Sequence, residues 1–156
     1  MSEKGLEIGQ SAPSFKIRDI NDEEINLKEL RSKNRGILVF FFRGTWWSHW
    51  IDYYATLTEY HSEFKERGIK VLSICSADNP RKLQGLKDGN DSPIPIILDR
   101  RMNITKEYNV LLDKNHPLYE KFQVKHSIPS KFLINKKGTI IWQYINKKAD
   151  GPPIEK

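Results

Sequence analysis

The most informative group of residues that could do chemistry sits in one loop, Phe42-Arg43-Gly44-Thr45-Trp46-Trp47-Ser48-His49-Trp50. It offers a guanidinium (Arg43), two hydroxyls (Thr45, Ser48), an imidazole (His49) and three indoles (Trp46, Trp47, Trp50). It holds no thiol. The chain's one cysteine, Cys75, lies elsewhere and cannot close an internal disulfide. Cys75 ends an apolar run beside Ser76 and Asp78, which suits a small buried hydrophobe. The alternative is a redox thiol placed at a strand end, and the Asp78 charge would work against its ionisation. His61, His116 and His126 have no spacing that matches a metal site, so packing or surface roles are expected, with no metal and no cofactor. His49 reads as a solvated histidine, or as a group tuning whatever stands at position 47.

The elements that must position this loop follow from periodicity. Residues 1–8 read as a flexible lead-in. Phe15, Ile17 and Ile20, the Asn21-Asp22 turn, then Ile25 and Leu27 predict a hairpin. A short helix is expected over 27–33. Ile37–Phe42 is continuously apolar, as in a strand buried on both faces. Trp47, Trp50, Ile51, Tyr54, Leu57, Tyr60 and Phe64 recur at helical spacing, so one helix is expected over 48–67, with Ser48 as N-cap and Gly68 at its end. Ile69–Ile74 reads as a strand, and Asn79-Pro80 as the start of a helix ending near Gly85 or Gly89. Ile94–Leu98 is a strand that Pro95 pushes to a late start or an edge. Ile104–Val110 is a short helix. Residues 111–127 resist classification, with Leu118, Tyr119, Phe122 and Val124 in a short helix or an aromatic-pinned loop. Phe132–Asn135 and Thr139–Ile145, around the Lys136-Lys137-Gly138 turn, form a closing hairpin. Residues 146–156 read as an unstructured tail. Strand–helix–strand units demand parallel strands with right-handed crossovers, and a terminal hairpin demands an antiparallel edge. The expected fold is α/β, one domain over 9–145, with a mixed central sheet and helices on both faces.

A length of 156 residues suits a single core. The net charge of +6 comes from scattered lysines and arginines interleaved with acids, so a solvated surface is expected rather than a nucleic-acid face. No apolar run approaches the roughly 18–20 residues of a membrane helix, and the start of the chain lacks a signal-peptide pattern. A cytoplasmic location is the expectation.

Four segments carry a family resemblance. Gly9-Gln10-Ser11-Ala12-Pro13-Ser14-Phe15 resembles an entry motif of Gly, then Ala-Pro, then Phe. Leu38–Trp50 resembles FFRGTWCPxC, Ile74–Asp78 resembles a strand end reading ISAD, and Ser127–Asn135 resembles xxPxxFLID. Together they are similar to thioredoxin-fold proteins of the peroxiredoxin-like class, the alkyl hydroperoxide reductase/thiol-specific antioxidant (AhpC/TSA, redoxin) group. The resemblance implies an antioxidant oxidoreductase that takes a peroxide or disulfide substrate and a thiol reductant. Its nucleophilic and resolving cysteines fall on Trp47 and Trp50. It assigns Thr45 a place beside the nucleophile and Pro129 the role of a cis-proline facing the pair, with Arg43, Gly44, Trp46, His49 and Ile128 as the binding residues around them. A typical peroxiredoxin threonine lies three residues before the nucleophile, where this chain has Gly44. Pro129 holds the place of that family's arginine, which brings the pattern nearer to thioredoxin-like reductases.

Indole has no ionisable thiol and cannot form a mixed disulfide. Three readings of Trp47 and Trp50 stay open. They pack the corner and begin the apolar face of the helix, or they form a platform for a partner at the corner. In the third reading the working protein differs from this sequence at both positions: tryptophan, cysteine and the selenocysteine signal differ only at the third codon base. The expected function is thus that of the family, without activity while both tryptophans stand. The alternative is a redox-inactive binding module.

Overall fold

The structure is a computed structural model that describes residues 5–46, 48–115, 119 and 125–145, with the backbone alone given for 48–50. Strands β1 (Lys16–Arg18) and β2 (Glu24–Asn26) pair antiparallel with Ile17 opposite Ile25. The Asp19 carboxylate accepts the N–H groups of Asn21 and Glu23 and so closes the turn. Asn26 then caps α1 (Leu27–Lys33), its side chain accepting the Glu29 N–H.

Strand β3 (Gly36–Phe41) is the centre of a five-stranded sheet of order β5-β4-β3-β8-β9. It runs parallel to β4 (Ile69–Cys75), which runs parallel to β5 (Ile96–Leu98). On its other side β8 (Ser130–Asn135) is antiparallel, followed by β9 (Ile140–Ile145) at the far edge. All six residues of β3 are buried, and its side chains alternate between two cores. Ile37, Val39 and Phe41 meet Leu27 of α1 together with Ile104 and Tyr108. Leu38, Phe40 and the following Phe42 meet Tyr53, Tyr54 and Leu57 of α2 (Ser48–Glu59), and Leu83 and Leu86 of α4 (Pro80–Gly89). Each such side chain, fully buried, contributes about 1.5–3 kcal/mol. The expected mixed sheet with helices on both faces is what forms.

The helix expected over 48–67 divides. After α2, Tyr60 adopts φ −89° and ψ 0°, and α3 (His61–Glu66) follows. Thr56 and Thr58 donate their hydroxyls to the carbonyls of Asp52 and Tyr54, back-bonding that competes with a straight helix. Gly68, at φ +75°, ends α3 as expected; a Cβ there would come within 2.9 Å of the Arg35 side chain. Asn79 caps α4, with Pro80 in its first turn. Pro95 stays outside β5, an edge strand, and its carbonyl accepts both the N–H and the hydroxyl of Ser73.

Within 111–127 the pattern hid a small ladder. After α5 (Asn103–Glu107), β6 (Leu111–Leu112) pairs antiparallel with β7 (His126–Ser127). Tyr119 packs against the core that includes Leu27, Ile104 and Tyr108. Leu118, Phe122, Val124 and the tail 146–156 lie outside the described residues. Among those described, no helix is long and apolar enough to cross a membrane.

Candidate functional site

The loop between β3 and α2 is held from two sides. Gly44 has φ +142°, and a Cβ there would stand 2.5 Å from the Trp46 indole nitrogen and 3.0 Å from Asp78 Oδ2. Only glycine fits that space and that backbone. The next two residues are tied to the turn between β4 and α4. Thr45 donates its N–H to Asp78 Oδ2, and its hydroxyl to Asp78 Oδ1 at 3.0 Å. Trp46 Nε1–H donates to the Ala77 carbonyl at 2.8 Å. Asp78 also accepts the Asn79 N–H at 2.7 Å, so one carboxylate organises both the corner and the start of α4.

The second side is formed by β7. Arg43 is fully buried and donates from Nη1 to His126 Nε2 at 2.8 Å. A guanidinium can only donate, so Nε2 accepts, and His126 is neutral with its proton on Nδ1. Burial lowers the Arg43 pKa to about 10, which leaves it charged at neutral pH. The Trp46 ring meets the His126 ring edge-on at 5.1 Å. Ser127 continues the contact: its hydroxyl lies 3.0 Å from that of Ser76 and 2.9 Å from that of Thr105. Thr105 in turn donates its hydroxyl and its N–H to Asp99, both at 2.8 Å.

Arg43, Gly44, Thr45 and Trp46 are thus brought together with the chain entering Ile128 and Pro129, both buried. Ile128 N–H donates to the Val110 carbonyl at 2.6 Å, and Ser130 Oγ to the Ile128 carbonyl at 2.9 Å. The expected cis bond before Pro129 is corrected: no peptide bond is cis among the described residues, so Pro129 follows a trans bond. Trans is the lower-energy isomer by about 0.5–1 kcal/mol, and the extended approach through β7 accommodates it. Trp47 lies outside the described residues. Ser48, His49 and Trp50 supply the first turn of α2, and their side chains lie outside the description as well.

Cys75 closes β4 beneath the corner, fully buried, with its thiol donating to the Arg43 carbonyl at 3.6 Å. Burial above all pushes the thiol pKa up, and Asp78 and Asp99 add to the rise. It is a packed thiol rather than a nucleophile. Beside the corner a cleft of about 570 Å³ opens between α2 and α4, lined by Thr45, Ile51, Lys82, Gly85, Leu86, Gly89 and Asn90. Among the described residues no group of His, Cys, Asp and Glu could hold a metal ion.

Three participants escaped sequence reasoning. His126 read as a surface or packing residue, yet it is the partner of Arg43. Asp78 read only as a charge near Cys75. Lys131 was passed over within its strand, although a lysine inside a strand with neighbours on both sides is a signal in itself; it is 2% exposed.

A parallel β3–α2–β4 unit, an antiparallel β8–β9 pair and a glycine corner opening α2 define a thioredoxin-like protein, and the solved structures similar to it agree. The BcpB peroxidoxin of Mycobacterium tuberculosis superposes with a TM-score of 0.78 at 13% identity, covering 92% of this chain and 88% of that one. The reduced 2-Cys peroxiredoxin of Plasmodium vivax gives 0.76 at 20% identity, covering 94% and 76%. The family model described as AhpC/TSA family matches residues 8–143, and the chain belongs to that family. Among curated relatives, the thiol-disulfide oxidoreductase ResA of Bacillus thuringiensis subsp. konkukian is 25% identical over 139 residues, covering 89% of this chain and 70% of the relative. A putative peroxiredoxin bcp of Coxiella burnetii is 25% identical over 152 residues, covering 96% and 95%.

Proposed function

We propose that the corner at 43–50 is, by position, the thiol-redox site of a peroxiredoxin-like oxidoreductase. Its substrate class is a peroxide or disulfide, with a thiol as reductant. The polypeptide carrying Trp47 and Trp50 does not turn over. One observation carries the second half of this reading: the chain's only thiol, Cys75, is fully buried and held protonated beneath the corner. Support for the first half is the framework around the missing sulfur. Gly44, Thr45 and Asp78 hold the loop at the mouth of α2, where helix N–H groups would favour a thiolate.

The test is peroxide consumption coupled to dithiothreitol. This chain gives the uncatalysed rate, and the Trp47→Cys/Trp50→Cys variant exceeds it by at least about tenfold, the effect of roughly 1.4 kcal/mol off the barrier. A folded double variant with no turnover removes the redox assignment. The intact mass of the native protein decides separately whether two tryptophans stand at 47 and 50 in the working molecule.

A second reading, a redox-inactive binding module, is favoured by the surface beside the cleft, where Trp46 is 38% and Ile51 40% exposed. An indole and an aliphatic side chain at the lip of a groove suit an apolar segment of a protein partner. Tryptophan fluorescence of the unmodified chain, titrated with candidate partner peptides, shifts saturably under this reading and stays constant otherwise.

A further inference from the structure

Lys131 stands in β8 with its side chain on the α2 side of the sheet, opposite Phe40 of β3 and Tyr144 of β9. Its ammonium donates a short hydrogen bond to the Tyr53 hydroxyl on α2. The same nitrogen lies over three rings, 5.1 Å from the centroid of Tyr53, 5.6 Å from Trp142 and 5.7 Å from Tyr144. Tyr53 is itself 3% exposed and stacks on Phe40 at 5.0 Å. A cation is therefore enclosed where the helix that opens at the corner rests on the sheet.

We propose that Lys131 is a protonation-controlled positioning residue, whose charge seats α2, and with it the corner at 43–50, against β8 and β9. An ammonium has three donors and no acceptor, so the Tyr53 oxygen must accept from it, and ring faces attract the cation. When Nζ releases its proton to solvent, the amine gains a lone pair. The Tyr53 hydroxyl then turns from acceptor to donor, and the attraction to all three rings is lost. The lysine thus changes its grip on α2 and on β9 in one step. Among the described residues, the titratable groups that face it from the elements packed around it are Tyr53 on α2 and Tyr144 on β9, and β3 presents Phe40. Burial lowers the Lys131 pKa to about 8 and raises that of Tyr53, so of this pair the lysine titrates first as pH rises. The inference stands apart from the redox reading, because seating of α2 matters equally to a corner that reacts and to one that only binds.

The experiment uses the full chain with fluorotryptophan at every tryptophan, followed by fluorine NMR from about pH 6.5 to 9.5, with resonances assigned by single Trp→Phe substitutions. Trp142 reports the cage and Trp46 the corner. The expected result is that both resonances shift with a common midpoint near 8, that Lys131→Met abolishes both shifts, and that Lys131→Arg, charged throughout, also abolishes them while keeping Trp46 at its low-pH position. Tyr53→Phe removes the acceptor on α2, so Trp142 still titrates and Trp46 no longer follows; this arm decides the matter if Lys131→Met fails to fold. Three results would overturn the proposal. One is an absence of titration at Trp142. Another is a titration that survives in Lys131→Met, which would belong to a group such as the α-amino terminus, ordinarily about 7.7–8.0. The third is a Trp142 shift with Trp46 unmoved.

Discussion

The two halves of the corner are built on different terms. Arg43–Trp46 is fastened at every residue: Arg43 to His126, Gly44 by its backbone and lack of side chain, Thr45 to Asp78 and Trp46 to Ala77. Residues 48–50 begin α2, and positions 47 and 50 are those on which the proposed redox reading turns. The loop from Arg43 to Trp46 is thus secured by the β4–α4 turn and by β7.

The sharpest way to break the comparison is through Asp78. Asp78→Ala removes acceptors from the Thr45 N–H, the Thr45 hydroxyl and the Asn79 N–H, and should cost about 2–4 kcal/mol in denaturant unfolding, since bonds to a charged group contribute roughly 1.5–3 kcal/mol each and are not additive. A loss below about 0.5 kcal/mol, within the range of an ordinary surface change, would mean that the first half is not held as described. Gly44→Ala should cost about 1–3 kcal/mol, because the new methyl meets the Trp46 ring in a backbone region closed to alanine. The emission of Trp46 should change with it.

Cys75 sharpens the contrast from the chemical side. In the native protein the thiol should not react with an alkylating reagent at pH 8, and should react at the rate of a free thiol once the chain is unfolded. Rapid native alkylation would show that the buried thiol is a nucleophile after all. The smallest effect is a pH slope. The Lys131 pKa is about 8 when folded against an ordinary 10.5, so between these values the unfolded chain binds more protons, and the contribution of this group to stability rises with pH. Up to about pH 9.5, below the ordinary tyrosine value of 10, unfolding should require more denaturant as pH increases, and Lys131→Met should remove that part of the slope.

Much of this architecture is legible in the sequence because its signals are local. The continuous apolar run of β3 announces burial on both faces, and Asn79-Pro80 announces the start of α4 to the residue. What stayed hidden depends on contacts between distant segments. The β6–β7 ladder has two residues a side and no periodicity to detect. His126 acquires its role from Arg43, 83 residues away, and Lys131 from Tyr53, 78 residues away. The break at Tyr60 lies just beyond two threonines whose hydroxyls bond back to helix carbonyls, a feature that apolar spacing does not register. The cis expectation at Pro129 came from resemblance alone, and the chain takes the trans bond.

The most direct test of the proposed redox site is a single turnover of the Trp47→Cys/Trp50→Cys variant. One equivalent of hydrogen peroxide is added to the reduced protein, and the products are mapped by peptide mass. The account predicts a disulfide between the two introduced thiols, with Cys75 unmodified. Introduced thiols that react no faster than free cysteine, or oxidation that falls on Cys75, would contradict it.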